Sequence, residues 1–178
     1  MNKEELIERQ SLILEFLAGL PKKILHLHGR ENVTEFVLHD LSHKNCFDLK
    51  KAAYFVNNPA FNCLKGVAGI SQPDIPQDLW QDIWDQKEMF STYMRNSPFN
   101  RKVREFSQCS LEGLEKPNQE IIQNVAHNLG IENPSFYSID VKHDNHGLFI
   151  FEKGPESKGL VDDYFAEGVS LLGFCPIF

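Results

Sequence analysis

Six of the chain's seven histidines fall in three short clusters: His26 and His28 in KILHLHG, His39 and His43 in VLHDLSH, and His143 and His146 in VKHDNHG. Imidazole is the commonest metal ligand and the one unperturbed side chain that titrates near neutral pH, so such clustering points first to metal binding or proton transfer. His39 and His43 make the best pair. On a helix, a spacing of four puts both rings on one face about one turn apart. Cys46 follows three residues later and would add a thiolate; Cys63 would supply a fourth ligand if an intervening strand folds back. A Cys/His set of this kind suits zinc or another divalent transition metal. A metal-bound water would then be the nucleophile, with Asp40 the nearest carboxylate to act as base. The plainer explanation is a helix end, where a cation opposes the negative pole of the dipole.

The His26–Leu27–His28 alternation puts both imidazoles on one face of a strand. LPKKILHLHG resembles the opening of adenosine-deaminase-type amidohydrolases, in which a Leu-Pro-Lys run precedes a metal-binding HxH strand. The resemblance covers only that stretch. The chain of 178 residues is too short for the roughly 250-residue barrel those enzymes use, and no later segment matches, so the assignment is rejected. Period-two patterning explains the segment without a metal: Ile24, His26 and His28 on a wetter face, Leu25 and Leu27 inward. His143 and His146 flank Asp144 and Asn145, good turn formers, so HDNH reads as a hairpin turn.

Arg95, Arg101, Lys102 and Arg104, interleaved with Phe99 and Phe106, form a local basic stretch suited to an anion or to the acidic surface of a partner. It stands in a chain whose formal net charge is −7, which argues against non-specific nucleic-acid binding. Asp162, Asp163 and Glu167 form a small acidic group of the kind that ligates a hard cation, or merely solubilises a surface. Phosphate-loop, dinucleotide-loop, nucleophile-elbow, HExxH and EF-hand patterns are absent.

Hydrophobic residues at 42% and charged residues at 24% are ordinary for a soluble globular protein, and 14 phenylalanines suggest an aromatic core. The opening MNKEELIERQ has no secretory pattern, and no apolar run approaches the ~20 residues of a membrane span. The four cysteines are widely spaced with no CxxC pair, which reads as four reduced thiols in a cytoplasmic protein.

Periodicity predicts the elements that must position these residues. Residues 3–18 form an amphipathic helix stopped by Gly19 and Pro21, 22–28 a short strand, and 31–43 a second helix, with a strand as the alternative there. Strands follow within 52–71, a helix over 77–95, a shorter one opening at Pro98, and another over 118–129 ended by Gly130. FYSIDVK and GLFIFEK form a hairpin over 136–153, and a last helix lies near 161–172. The expectation is one α+β domain over 1–178, with about five helices and a small, mostly antiparallel sheet. The leading functional expectation is a non-catalytic interaction or accessory protein, its partner another protein met through the Trp80/Trp84 helix or the apolar C-terminal segment. The alternatives are a His/Cys metal-binding protein, such as a small metal-dependent hydrolase, and an enzyme assembled from distant segments.

Overall fold

Strand-prone runs pair into a five-stranded antiparallel sheet. The strands are β1 (Leu49–Asn58), β2 (Cys63–Ser71), β3 (Ser107–Cys109), β4 (Pro134–Val141) and β5 (Asn145–Lys153), in the order β3-β2-β1-β5-β4. Among the described residues six α-helices accompany them: α1 (Lys3–His26), α2 (Val33–Ser42), α3 (Lys87–Asn96), α4 (Pro98–Glu105), α5 (Gln119–Leu129) and α6 (Asp162–Ser170). The architecture is α+β. The computed structural model describes residues 3–58, 62–79, 82–109, 118–142, 144–155, 157 and 162–176.

Central strand β1 is covered on both faces, which is why its AAYFV run is continuously apolar and does not alternate. Ala52, Tyr54 and Val56 join a core with α1, α2, α3 and α6; Ala53 and Phe55 join a second core with α4 and α5. The chain changes faces between α3 and α4. Ser97 ends α3 and caps α4, its Oγ accepting from the Asn100 N–H at 3.3 Å, with Pro98 at the first helical position.

This crossing rounds the free edge of β2. Strand β3 pairs only with Cys63–Lys65, so the rest of that edge needs other partners. The Gly66 N–H donates to the Phe106 carbonyl at 3.0 Å, and the Gly69 N–H to Asn100 Oδ1 at 2.9 Å. A Cβ at Gly66 would lie 1.8 Å from the Val103 carbonyl oxygen, so α4 sits against strand backbone that only glycine leaves bare. Buried Asn100 also donates through Nδ2 to the Met94 carbonyl at 2.9 Å and to Glu35 Oε1 at 2.7 Å. One side chain thus joins β2, α3, α4 and α2.

The structure departs from the sequence expectations at three places. Residues 22–26 are the last part of α1 and not a strand: Pro21 lies inside the helix. Helical spacing buries Leu20, Ile24 and Leu27 and leaves Leu25 exposed, which reverses the strand reading at Ile24 and Leu25 while Leu27 is inward in both. A proline in a helix costs ~3 kcal/mol; burying Ile24 and Leu27 together gains roughly 3–6 kcal/mol, which outweighs it. Over 77–95, a 3₁₀ turn (Gln77–Leu79) and α3 replace a continuous helix, and Trp80 lies outside the described residues. Finally, Cys63 and Cys109 stand directly opposite each other on β2 and β3 and form a disulfide, so four reduced thiols is not the state of this chain. Widely separated cysteines carried no signal for this, because β3 is only three residues long and was not expected. Among the described residues no helix is long and apolar enough to cross a membrane.

Replacing Asn100 by Leu would leave the Gly69 N–H, the Met94 carbonyl and the Glu35 carboxyl without this partner. Chemical denaturation of Asn100→Leu is expected to show a loss on the order of 3 kcal/mol, with an unchanged midpoint refuting the bridging role. Thiol titration in denaturant without reductant is expected to find the two free cysteines Cys46 and Cys175; four titrating thiols would refute the cross-strand pairing.

Candidate functional site: the two ends of helix α2

Helix α2 is buried along all its 10 residues, yet it carries Glu35, His39 and Asp40. A buried ionisable group must be met by partners or change its protonation. The structure answers this differently at the two ends of the helix.

At the C-terminal end, Asp40 Oδ2 accepts from Lys23 Nζ at 3.1 Å and Trp84 Nε1 at 2.9 Å, while Oδ1 lies 3.3 Å from His39 Nδ1. Lys23 also sits over the Trp84 ring, 4.8 Å from its centroid. This group joins α1, α2 and the approach to α3. Trp84 is thereby held in the structure, half-buried, with its ring against Phe36. The rings of His39, on α2, and His43, its C-cap residue, lie side by side with centroids 6.1 Å apart. Aromatic rings surround them: Phe90 meets His39 edge-on and Phe16 stacks on His43. Burial first, and the neighbouring His39 second, lower the His43 pKa to about 4, so its ring is held neutral. Cys46 is a buried free thiol whose ionisation burial opposes strongly.

His26 and His28 do not join this pair. Both are exposed, at and just beyond the end of α1, and His26 Nδ1 lies 2.8 Å from the Lys22 carbonyl. His146 lies 3.1 Å from Asp140 on the β4–β5 hairpin, while His143 and the side chains of Asp162 and Asp163 are outside the described residues. Among the described residues no group of three His, Cys, Asp or Glu side chains converges as a metal site. A cavity of about 690 Å³ opens elsewhere, lined by His28, Val56, Val67, Val141 and Phe174 among others. It also takes in Cys63, which is held in the disulfide with Cys109, and Gly173, Cys175 and Pro176 of the apolar C-terminal segment.

The N-terminal end opens onto a cleft. A cleft of about 220 Å³ is lined by Arg30, Glu31, Asn32, Glu35, Glu88, Ser91, Arg95 and Arg104, every one of them polar. Glu35 forms its buried part. Burial raises the Glu35 pKa, opposed by the hydrogen bond from Asn100 and the charge of Arg104. Arg104 Nη1 reaches Glu35 Oε1 at 3.4 Å, Arg30 pairs with Glu88 at 2.8 Å on the rim, and Asn32 Nδ2 donates to Ser91 Oγ at 2.7 Å. The expected basic stretch is therefore divided. Arg95 and Arg104 line the cleft; Arg101 and Lys102 are exposed on α4 and do not. On α4, Asn100 and Arg104 are one turn apart and share the face toward Glu35, while Phe99 and Val103 face the sheet. Arg30, Asn32, Glu35 and Ser91 were missed. The legible signal was a glutamate inside the apolar stripe of Val33, Phe36 and Val37, where a solvated acid does not belong.

No protein-family model matches the chain, and no similar curated protein or solved structure was found.

The neutral His43 ring makes a pH prediction. The unfolded chain protonates this histidine near 6.5, the folded chain only near 4. Its contribution to stability is complete above 6.5 and is lost as the pH falls from there toward 4. Thermal or denaturant unfolding of the wild type and of His43→Gln is therefore expected to show a difference that is flat above 6.5 and changes to the wild type's disadvantage below it. Parallel curves throughout would show that the fold does not hold this ring neutral.

Proposed function

We propose that the protein is a non-catalytic interaction protein that receives an acidic group of a protein partner in the arginine-lined cleft at the start of α2. The observation that carries this reading is the convergence of Arg30, Arg95 and Arg104 on one small polar cleft in a chain of net charge −7. Arg95 makes no ion pair among the described residues. Arg104 faces a Glu35 carboxyl whose ionisation burial disfavours, and Glu88 holds Arg30 from a side chain that is 82% exposed. Exposed ion pairs contribute 0–1 kcal/mol at the median, so an incoming carboxylate can displace Glu88 at small cost.

The dimensions favour docking over turnover. Small-molecule sites usually occupy about 300–1,000 Å³, and a cleft of about 220 Å³ suits the end of one carboxylate- or phosphate-bearing side chain. Guanidinium forks match those groups in bidentate geometry, giving orientation as well as attraction. The cleft's one hydroxyl among the described residues, Ser91 Oγ, is hydrogen-bonded to Asn32 and not to a base that would activate it. The carboxyl of Glu35 is bonded to Asn100, in an arrangement that positions α4.

Titration with a polyglutamate peptide, followed by backbone amide chemical shifts, tests the reading. Arg95→Glu is expected to weaken binding by tenfold or more, the scale of one lost charge-assisted contact. Arg101→Glu, which makes the same charge change on the same surface outside the cleft, is expected to weaken it far less. Equal losses in the two variants would reduce the effect to general electrostatics, and absence of binding to the wild type would overturn the reading.

A further inference from the structure

Six large hydrophobic side chains are exposed among the described residues, and three of them, Ile7, Leu14 and Leu25, lie on α1. They belong to a single line. Ile7, Ser11, Leu14, Ala18, Pro21 and Leu25 follow one another in alternating steps of four and three residues, the repeat that keeps one seam of a helix facing another helix. All six are exposed. The line is separate from the one that faces the core, which runs through Ile13, Leu20 and Ile24. It spans about 27 Å of helix, so α1 carries more apolar surface than its own chain covers.

The flank of this seam indicates what covers it. Glu8, Glu15 and Lys22 each follow a seam residue directly and therefore lie on the same side of it. Exposed Glu4 lies with the acids, and exposed His26 with the base. The flank is acidic in its first half and basic in its second. A second α1 laid alongside in the same direction would set like charges together, whereas a reversed copy sets acid against base twice. Such self-complementarity is the condition of a two-fold interface.

We propose that α1 pairs antiparallel with α1 of a second copy of this chain along the Ile7–Leu14–Leu25 line. The axis passes near residue 16. Ile7 packs against Leu25 of the second copy and Leu14 against its Ala18, whose small side chain lets the helices approach. Glu8 comes within reach of Lys22 of the second copy, and this contact occurs twice. Glu15 faces its own symmetry mate, the one unfavourable charge contact of the arrangement.

Analytical ultracentrifugation of the full chain over a roughly hundredfold micromolar concentration range tests the proposal. The wild type is expected to dimerise reversibly. Leu14→Glu, a change at an exposed position that leaves the circular dichroism intact, is expected to be monomeric. Glu8→Lys and Lys22→Glu should each weaken association several-fold, and the double variant should recover it. Glu15→Gln should tighten it. A wild type that stays monomeric, a dimer that survives Leu14→Glu, or a charge-swapped double variant no better than the singles would each overturn the proposal.

Discussion

A carboxyl group buried in a protein carries a desolvation penalty of several kcal/mol when ionised unless other groups replace its water. Helix α2 carries two such groups, Glu35 and Asp40, in a segment with no exposed residue. Much of the helical arrangement meets that requirement. Lys23 of α1 and Trp84 before α3 converge on Asp40; Asn100 and Arg104 of α4 converge on Glu35. Because the partners come from separate elements, satisfying the two acids also orders α1, α3 and α4 around α2. The glycines of β2 complete the arrangement, letting α4 approach near enough for Asn100 to reach both the strand edge and Glu35.

The two ends differ in what they leave available. Around Asp40, a cation, an indole and an imidazole enclose the carboxylate, and the histidines beside it are packed by phenylalanines. Around Glu35 the enclosure is incomplete: Arg104 is half exposed and two further arginines open onto the same cleft. The interaction proposed for the protein uses cationic capacity beyond what the buried acid consumes.

Imidazole chemistry makes the histidines the conspicuous residues of this sequence. The fold uses the His39 and His43 rings as packed aromatic groups, and it places His26 and His28 at the exposed end of α1. The fold also divides the basic stretch. Arg95 and Arg104 enter the cleft because the chain turns at Ser97 and Pro98, whereas Arg101 and Lys102 follow other faces of α4. Arg30 and Asn32, more than sixty residues earlier, face them only because α2 and α4 meet around the β2 edge.

Local periodicity determined much of this protein by itself. The β4–β5 hairpin, α2, α5 with its Asn118 cap and Gly130 terminator, and the proline-initiated α4 follow from side-chain spacing and backbone preferences that act over one or two turns. Tertiary structure decided the remainder. It carried α1 through Pro21, because burying Ile24 and Leu27 outweighs the broken hydrogen bond. It brought Cys63 to Cys109 through a strand too short to show a pattern, and it divided four neighbouring basic residues between a cleft and open surface. Each of these outcomes depends on contacts between residues distant in the chain, whose free energies exceed the local preferences they override.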